Sequence, residues 1–315
     1  MNINEAIAKI DWKRQPYGLY EPIEYTLAAG GKRVRPQLAM IASQLFDGND
    51  EDVLPAALAL EIFHNFTLLH DDVMDHAEVR RGRPTVHIKW NENTAILSGD
   101  QMLIEAYKML AQVPADKLPK VLHLFNKMAT EICEGQQYDV DFESQEHVAI
   151  DDYLLMIRLK TSVLLATALQ MGAYIAGADE QAQDALYQFG IHIGLAFQIQ
   201  DDILDVWGDP ATFGKAIGGD IACNKKTFVT LTALQLADED SRHALHTWLS
   251  QTMQDNVEKI AAVTAIYNRL DVRAECEKRV VELTQQALAY LSTLPQNAAA
   301  DQLRQLADKL NTRKS

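Results

Sequence analysis

Apolar residues recur at the three- and four-residue spacing of an α-helix along almost the whole chain. Strand signals are nearly absent, since no long Val, Ile and Thr run alternates with polar residues and no Asn-Gly or Asp-Gly pair joins two such runs. The prolines lie near the edges of the apolar segments, where helices begin and end. No linker is rich in Gly, Pro or Ser. We therefore predict an all-α fold, a single domain over residues 1–315 with about ten or more helices.

The periodicity also predicts approximate helix limits. The predicted helices run from about Pro36 to Phe46, Val53 to Asp75, Glu92 to Ala111, Lys117 to Val140, Ile150 to Ala176, Glu180 to Val206, Lys226 to Leu236, Ser241 to Gln254, Val257 to Leu270, Val272 to Leu294 and Ala298 to Asn311.

The net charge is −15, from 29 basic and 44 acidic residues, which disfavours a nucleic-acid partner because such partners need a basic face. The three cysteines are scattered, so we expect small core residues in a reducing cytosol rather than disulfides or a zinc site. The N-terminus has no apolar signal core. The most membrane-like stretch, Thr161 to Ala178, is marginal in length, and we expect a buried core helix there rather than a transmembrane segment.

Two Asp-Asp-x-x-Asp elements lie 130 residues apart, each near the C-terminal end of a long apolar helix. In the first, Asp71 and Asp75 share one helix face, and two carboxylates so placed repel each other unless a cation lies between them. Carboxylate oxygens suit Mg²⁺, which bridges readily to substrate phosphates. The second element repeats the pattern with Asp201, Asp202 and Asp205. One such element alone can be a solvated acidic helix end, but two are harder to explain in that way.

Basic residues are grouped beside both acidic elements, which is informative in so acidic a chain. A glycine pair and three cations form GGKRVRP at residues 30–36, where glycine allows close backbone approach to an oxyanion and the cations pair with it. Arg80 and Arg81 follow the first aspartate element. Lys215 and Lys225 follow the second, and Lys160 lies in an otherwise apolar helix. Any one basic run alone would more often be a solvated loop, but together they suit diphosphate groups.

Two other patterns in the sequence are found in metal sites of different classes of protein. Glu61-x-x-His64 has the spacing found in di-iron helical bundles, but those proteins need a second such pair and no other Glu-x-x-His occurs here. His70-Asp71 is similar to the dipeptide of metal-dependent phosphohydrolases, whose sites need further His and Asp ligands and have no use for the second aspartate element.

Taken together, the motifs strongly resemble the trans-prenyl (E-isoprenyl) diphosphate synthase family, including the farnesyl and geranylgeranyl diphosphate synthases. The resemblance covers about two-thirds of the chain, from Gly30 to about Lys226, and the functional positions show no departure from the family pattern. The motifs stand in the family's order and spacing: GGKRVRP, LLHDDVMD, RRGRPTVH, LKTS, FQIQDDILD and GKAIGGD.

The resemblance implies an isoprenoid synthase type I fold, with helices around a central apolar cavity, and a role for each matching residue. The diphosphate of isopentenyl diphosphate would be held by Lys32, Arg35, His64 and Arg81. Three Mg²⁺ ions would bind, two at Asp71 and Asp75 and a third at Asp201, with Asp202 and Asp205 in support. The allylic diphosphate would be held by these ions with Arg80, Lys160, Lys215, Gln198 and Lys225. Thr161 and the Lys160 carbonyl would lie beside the developing cation, so Lys160, Thr161, Arg80 and Lys215 are the catalytic candidates.

The chemistry implied is a head-to-tail (1′-4) condensation, in which an allylic C–O bond breaks, the isopentenyl double bond attacks the cation and a proton is lost. Cationic groups stabilise the departing diphosphate, and an apolar cavity excludes water that would quench the cation. A class I terpene cyclase is the alternative enzyme, although it would not need Lys32, Arg35 and Arg81. A non-catalytic subunit of a heteromeric synthase should have lost an aspartate element, and a purely structural bundle would not depend on Mg²⁺.

Product length is expected to depend on Phe66 and Phe63, which precede Asp71 by five and eight residues, or roughly 7 and 12 Å along a helix. In the family, an aromatic residue at the Phe66 position favours short products, and the first motif lacks a two-residue insertion, so the pattern resembles synthases of C15 to C20 chains. Both rings could instead be ordinary core aromatics. The family usually forms homodimers, and we expect a cytoplasmic enzyme.

Overall fold

The computed structural model of the protein describes residues 3–209, 217–251 and 256–311. Its secondary structure is helical apart from one short hairpin in the described ranges, which confirms the all-α prediction. The chain forms two compact units. The first consists of Met1–Asn126 with Thr167–Leu186, and the second of Lys127–Ala166 with Tyr187–Ser315. The expectation of one domain over the whole length stays a prediction.

In the first unit, a 25-residue helix carries the first aspartate element. It begins after Asn49, whose side chain accepts a hydrogen bond from the backbone N–H of Glu51 at 3.1 Å, and three acidic residues in its first turn favour the positive end of the helix dipole. This helix packs against the helices Val34–Gln44 and Glu92–Leu110. The helices are α1 (Ile3–Ala8), α2 (Tyr17–Ala28), α3 (Val34–Gln44), α4 (Asp50–Met74), α5 (Val86–Lys89) and α6 (Glu92–Leu110).

A two-stranded antiparallel hairpin follows α4, with β1 at Val79–Arg80 and β2 at Arg83–Pro84. Arg81 and Gly82 form its turn, and both have positive φ (52° and 72°), as in the tight turns that match the twist of a hairpin. This hairpin was not predicted from the sequence, because two residues per strand are too few for alternation to be visible. The short helices α1, α2 and α5 were also not predicted.

The second unit is built around a continuous apolar core to which most of its helices contribute. The helix Phe228–Leu236 lies at the centre of this arrangement and packs against Ile150–Ile157 and Val272–Leu291. The remaining elements of the chain, of which α7, α9 and α10 have residues in both units, are α7 (Leu118–Ser144), α8 (Ile150–Ile157), π1 (Arg158–Ser162), α9 (Val163–Ile175), α10 (Glu180–Trp207), α11 (Gly219–Ala222), α12 (Phe228–Leu236), α13 (Glu239–Leu249), α14 (Val257–Arg269), α15 (Val272–Leu291) and α16 (Ala298–Asn311).

One predicted helix, Ile150 to Ala176, is not a continuous α-helix. Residues Arg158–Ser162 form a π-helical segment between α8 and α9. Such segments insert an extra residue into a helical turn and redirect the side chains that it carries, and they occur often at functional sites. Apolar periodicity does not reveal one inserted residue, so the sequence could not show it.

The stretches Asp50–Met74 and Ile150–Ile175 are long and apolar enough to cross a membrane by length and composition, but 61% and 67% of their most apolar windows are buried within the protein. This burial is typical of the core helices of a globular protein. The prediction for the cysteines was wrong in part: Cys276 is buried, whereas Cys133 and Cys223 are exposed.

Candidate active site

The loop before α3 is anchored by Arg33, which is only 5% exposed. Its Nη1 lies 2.5 Å from Glu61 Oε1 on α4, and its Nη2 donates to the carbonyl oxygen of Leu27 at 2.5 Å. Because a buried guanidinium needs a partner for its charge, this ion pair fixes the loop against α4. Of the three cations in the motif, Arg33 therefore has a structural function, while Lys32 is exposed at the surface.

The glycine pair of this loop accommodates the guanidinium of Arg81. Arg81 Nη1 donates to the carbonyl oxygen of Gly30, and also lies 3.4 Å from Asn65 Oδ1. A Cβ added to Gly31 would lie 3.1 Å from Arg81 Cζ, and Gly31 has a φ of 137°. A side chain at position 31 would therefore displace the arginine and strain the backbone. The sequence suggested close approach of the glycines to an oxyanion, whereas the close contact observed is with the cation that would bind one.

His64 lies among arginine side chains on the same side of the first unit. Burial lowers its pKa well below the ordinary value, and the charges of Arg35, Arg81, Arg80 and Arg33 lower it further. Burial also lowers the pKa of Arg35 to about 10, and its Nε is hidden from solvent without a hydrogen-bond partner in the part of the chain that the structure describes. The surrounding guanidinium groups attract an anion, to which the neutral imidazole can donate a hydrogen bond.

The same surroundings argue against the di-iron interpretation of Glu61 and His64. A metal cation at His64 would be repelled by the surrounding guanidinium groups. Glu61 Oε1 already accepts hydrogen bonds from Arg33 and from Asn65 Nδ2, the latter at 2.9 Å. His70, the residue of the phosphohydrolase-like dipeptide, is engaged elsewhere, with its Nε2 3.1 Å from the carbonyl oxygen of Ile96.

The three aspartates at the end of α4 have different surroundings. Asp72 is buried, and its Oδ1 accepts from both Nε and Nη2 of Arg80, each at 2.7 Å. Burial raises the pKa of Asp72, although the Arg80 charge opposes that effect. Asp71 is half-buried, and Asp75 is exposed just beyond the last helical residue. The outer two carboxylates are therefore the ones accessible to a cation from solvent.

The predicted chain-length residues form part of an aromatic cluster below the aspartates. Phe63 is 1% exposed, and its ring centroid lies 5.4 Å from that of Phe66 and 5.1 Å from that of Phe125. Phe66 is only partly buried and contacts the ring of His70 edge-on at 4.8 Å. Phe63 is thus a packed core ring, whereas part of the Phe66 ring remains accessible.

In the second unit, the π-helical segment presents Lys160 and Thr161 to two different helices. Lys160 Nζ lies 2.5 Å from Asp139 Oδ2 on α7, and Thr161 Oγ1 donates to Gln198 Oε1 on α10 at 3.3 Å. Two glycines allow both helices to pack closely on this segment. A Cβ at Gly135 would clash with the backbone of Lys160, and one at Gly194 would lie 2.6 Å from Ser162 Cα.

Asp202 is 3% exposed and both of its oxygens are engaged within the protein. Oδ2 accepts from the Tyr153 hydroxyl at 2.6 Å and from the backbone N–H of Phe228 at 3.1 Å. Oδ1 accepts from Gln198 Nε2 at 3.2 Å. Burial raises the pKa of Asp202 to about 8 against these hydrogen bonds, and the nearby Asp220 charge adds to the increase. This geometry suits a supporting residue better than a direct metal ligand.

The other residues of the second element differ in burial. Asp201 is half-buried, whereas Asp205 is buried and its Oδ2 accepts from the backbone N–H of Asp220 at 3.0 Å. Lys225 is exposed, and its backbone N–H donates to the carbonyl oxygen of Asp220 at 2.8 Å. The predicted binding residue Lys215 lies outside the described residues.

No group of three or more His, Cys, Asp or Glu side chains arranged to hold a metal ion occurs in residues 3–209, 217–251 and 256–311. The donors present nevertheless fit Mg²⁺, which is commonly bound by one or two carboxylates with waters and substrate phosphates. Asp71 and Asp75 lie one helical turn apart, since the Asp75 N–H donates to the Asp71 carbonyl oxygen at 2.8 Å.

Sequence reasoning missed the residues that orient these side chains: Asn65 and Glu61 behind Arg81, Asp139 behind Lys160, and Tyr153 behind Asp202. Glu61 and Tyr153 belong to apolar helix faces, where their spacing matches that of core residues. No sequence signal identifies the partners Arg33 of Glu61 and Asp202 of Tyr153, because each lies on a different element.

Residues 16–267 match the model of the polyprenyl synthetase family. The short chain isoprenyl diphosphate synthase of Methanocaldococcus jannaschii is 41% identical over 245 residues, which are 76% of this chain and 75% of that protein. The geranylfarnesyl diphosphate synthase of Natronomonas pharaonis is 37% identical, with coverage of 88% and 91%. The chain therefore belongs to the polyprenyl synthetase family of trans-prenyl diphosphate synthases. Its activity is that of a short-chain prenyltransferase.

Solved structures of the family have the same fold. A geranylgeranyl pyrophosphate synthase with 42% identity superimposes with a TM-score of 0.92 and full coverage of both chains. A second, from Corynebacterium glutamicum, was determined in complex with isoprenyl diphosphate and magnesium. It has 31% identity and a TM-score of 0.87, and the match covers 99% of this chain and 95% of that one. At these identities, the likeness extends beyond the fold to the family.

Proposed function

We propose that the protein catalyses the Mg²⁺-dependent head-to-tail condensation of isopentenyl diphosphate with an allylic diphosphate, and that its all-trans product is C15 to C20. The observation that carries this proposal is the arrangement of charges along α4. His64 lies among arginines, and the accessible Asp71 follows two helical turns later, about 10 Å along the axis. One helix thus brings an anion-binding group and a cation-binding group to neighbouring positions.

Isopentenyl diphosphate binds through Lys32, Arg35, His64 and Arg81. Within the described residues, the hidden Nε–H of Arg35 has no acceptor, and His64 beside it is neutral. Arg81 is held between Gly30 and Asn65, so its guanidinium is oriented before the substrate arrives. Such preorganisation reduces the entropy that binding would otherwise cost.

The allylic diphosphate binds through Arg80, Lys160, Gln198, Lys215 and Lys225. Arg80 is oriented by Asp72 and Lys160 by Asp139, so each cation has a fixed starting position. The Lys160 side chain is 25% exposed, which leaves its ammonium group accessible to a phosphate. Cations placed in advance stabilise the charge that develops on the leaving diphosphate.

Three Mg²⁺ ions are proposed, two held by Asp71 and Asp75 and one by Asp201, with Asp202 and Asp205 orienting that region. Magnesium supplies charge neutralisation of the diphosphate when it is bound. The related synthase from Corynebacterium glutamicum, whose structure contains magnesium, supports this choice of metal. The exposure of Asp75 and the partial exposure of Asp71 and Asp201 support the assignment of these three as ligands.

In the proposed reaction the allylic C–O bond breaks and the diphosphate leaves with the electron pair. The isopentenyl double bond then forms the new C–C bond, and the proton lost from the resulting cation passes to the released diphosphate. Thr161 Oγ1 and the Lys160 carbonyl oxygen present lone pairs beside the cation. An apolar cavity holds the hydrocarbon tails and excludes water.

Product length is set by Phe66, whose accessible ring blocks the growing tail, while Phe63 supports it from the core. Phe66→Ala should shift the products to longer chains, because the truncation opens space below the aspartates. Phe46→Ala is the matched control, since Phe46 is also a partly buried ring of the first unit but lies outside α4. An unchanged product distribution in Phe66→Ala would show that this ring does not limit the chain.

The test of the function is a product assay with Mg²⁺, isopentenyl diphosphate and, separately, C5, C10 and C15 allylic diphosphates. Products that end at C15 or C20, and that are lost when EDTA removes the metal, support the proposal. Products of C25 or longer retain the reaction but overturn the product length. Release of diphosphate from a C15 or C20 primer without elongation would instead indicate the terpene cyclase.

We also propose a cytoplasmic homodimer. Helix α6 has an apolar stripe at helical spacing that includes Ile96, Leu97, Ile104 and Tyr107, and these side chains are 37% to 59% exposed in the chain as described. Such a stripe is suited to packing against a second copy. Light scattering of the wild-type protein should give twice the mass of one chain. The Leu97→Glu variant should have the mass of a single chain. A wild-type protein of single-chain mass would exclude the homodimer.

A further inference from the structure

Tyr153 is a buried residue of the second unit to which neither the motifs nor the proposed reaction assign a function. It is 4% exposed and lies on α8, the helix that leads into the π-helical segment with Lys160 and Thr161. Its hydroxyl donates to Asp202 Oδ2 at 2.6 Å, a short hydrogen bond for two oxygen atoms.

This contact is the first of a continuous series of hydrogen bonds. Asp202 Oδ1 accepts from Gln198 Nε2 at 3.2 Å, and Gln198 Oε1 accepts from Thr161 Oγ1 at 3.3 Å. The backbone N–H of Phe228 donates to the same Asp202 oxygen as Tyr153 does. The series therefore begins at α8, crosses to α10 and returns to the π-helical segment.

The series determines which way the Gln198 amide faces. The amide NH₂ of Gln198 donates to Asp202 Oδ1, so the amide oxygen of Gln198 turns toward Thr161. The Thr161 hydroxyl then has its hydrogen directed at Gln198. Its lone pairs consequently face its other surroundings, and lone pairs are the part of a hydroxyl group that stabilises a neighbouring cation.

We propose that Tyr153 is a positioning residue, which holds Asp202 and Gln198 in the orientation that presents the Thr161 lone pairs to the reaction centre. The inference rests on the proposed function, because it assigns Tyr153 a part in that reaction. It also explains why Asp202 is buried with both oxygens engaged inside the protein.

The test is a double-mutant cycle of kcat with Tyr153→Phe and Thr161→Val. Tyr153→Phe removes the hydroxyl and should lower kcat about tenfold, which corresponds to the loss of one hydrogen bond, while KM for both substrates changes little. Once Thr161 lacks its hydroxyl, the tyrosine has nothing to orient. The kcat of the double variant should therefore match that of Thr161→Val alone. If the two substitutions acted independently, their effects on kcat would multiply.

Tyr267→Phe is the matched control. Tyr267 is fully buried in the same unit and its hydroxyl pairs with Thr230 at 3.0 Å, outside the series. Removal of the Tyr267 hydroxyl should change kcat by less than about twofold. This effect on kcat should multiply with the effect of Thr161→Val in the double variant. If Tyr153→Phe fails to fold, Gln198→Leu interrupts the same series at its middle and provides the same cycle.

The outcomes separate the two proposals. A wild-type protein that does not condense its substrates overturns the proposed function and the inference with it. An active wild type in which Tyr153→Phe and Thr161→Val act independently, or in which Tyr153→Phe lowers kcat no more than Tyr267→Phe does, overturns the inference alone. A tenfold loss with no further loss in the double variant supports it.

Discussion

The two aspartate elements have the same sequence pattern but lie in different parts of their helices. The first ends α4, and Asp75 lies beyond the last helical residue, exposed to solvent. The second lies within α10, which continues to Trp207, and its last aspartate, Asp205, is buried. Identical spacing therefore provides one exposed and one half-buried carboxylate, Asp75 and Asp71, in the first element and one half-buried carboxylate, Asp201, in the second.

The middle aspartate is buried in both elements, but its partners differ. Asp72 is paired with the cation Arg80, whereas Asp202 accepts hydrogen bonds from the neutral groups of Tyr153, Gln198 and Phe228. A cation opposes the effect of burial on a carboxyl group more strongly than neutral donors do. The pKa of Asp202 accordingly rises to about 8, and that of Asp72 rises as well. The surroundings, and not the motif, determine the properties of each carboxylate.

The largest predicted effect concerns the accessible aspartates. Asp71→Asn and Asp201→Asn should each lower kcat by about 10²- to 10³-fold, because each removes a carboxylate that is proposed to hold the Mg²⁺ that neutralises the diphosphate. Their free energies of unfolding should remain within about 0.5 kcal/mol of the wild type. Activity assays at saturating Mg²⁺ and urea unfolding measure the two quantities. Near-normal kcat in either variant would contradict the assignment of that residue.

In each element, a substitution that removes the partner of the middle aspartate should lower the stability of the protein. The loss should be larger for the first element than for the second. Arg80→Met leaves the buried Asp72 carboxylate without its hydrogen bonds and should lower the free energy of unfolding by about 1–3 kcal/mol. Tyr153→Phe should cost less, about 1 kcal/mol, because Gln198 and Phe228 still donate to Asp202.

Urea unfolding curves provide this measurement. Arg273→Met is the control for Arg80→Met, since Arg273 pairs with Glu277 at an exposed site where ion pairs contribute little. A loss in Arg80→Met no larger than in Arg273→Met would show that Asp72 does not depend on its arginine.

The pH dependence of stability should distinguish the two middle aspartates. The pKa of Asp202 is about 8 in the folded protein against an ordinary value of 3.8, so the folded state binds the proton more tightly than the unfolded state does. Its contribution to stability is fully present below about pH 4 and is lost as the pH rises toward 8. Asp202→Asn should remove this decline in the free energy of unfolding with rising pH. Asp72→Asn should remove a smaller decline.

The measurement is the free energy of unfolding of the metal-free protein, determined with urea at several pH values between 4 and 8. The control is Asp75→Asn, at an exposed position. If the wild type and Asp202→Asn show parallel pH profiles, the buried carboxyl group does not titrate in this range.

The smallest predicted effect compares the last aspartates. Asp205→Ala should lower the free energy of unfolding by about 1 kcal/mol, because it removes the acceptor for the Asp220 N–H. Asp75→Ala should change it by less than about 0.5 kcal/mol, since that side chain is exposed. Thermal melts of both variants test the difference, and equal effects would remove the distinction between the two elements at this position.

The sequence predicted the helices with strong apolar periodicity well. The predicted helix from about Val53 to Asp75 is observed as Asp50–Met74, and Val257 to Leu270 as Val257–Arg269. The prediction from sequence failed where a single residue changes the local structure. The turn at Arg81 and Gly82 and the π-helical segment at Lys160 depend on local backbone geometry, which periodicity over a long window does not record.

By itself, the sequence determined the class of fold, the two aspartate elements and the cations beside them. Helical periodicity and the spacing of charged residues are local properties, and a local pattern can be read along the chain. Only the tertiary structure decided that Arg33 is buried against Glu61, that Arg81 lies against Gly31, and that Tyr153 donates to Asp202. These pairs are 28, 50 and 49 residues apart. Burial and hydrogen bonding between such distant residues arise only when the elements pack together, so no local pattern contains them.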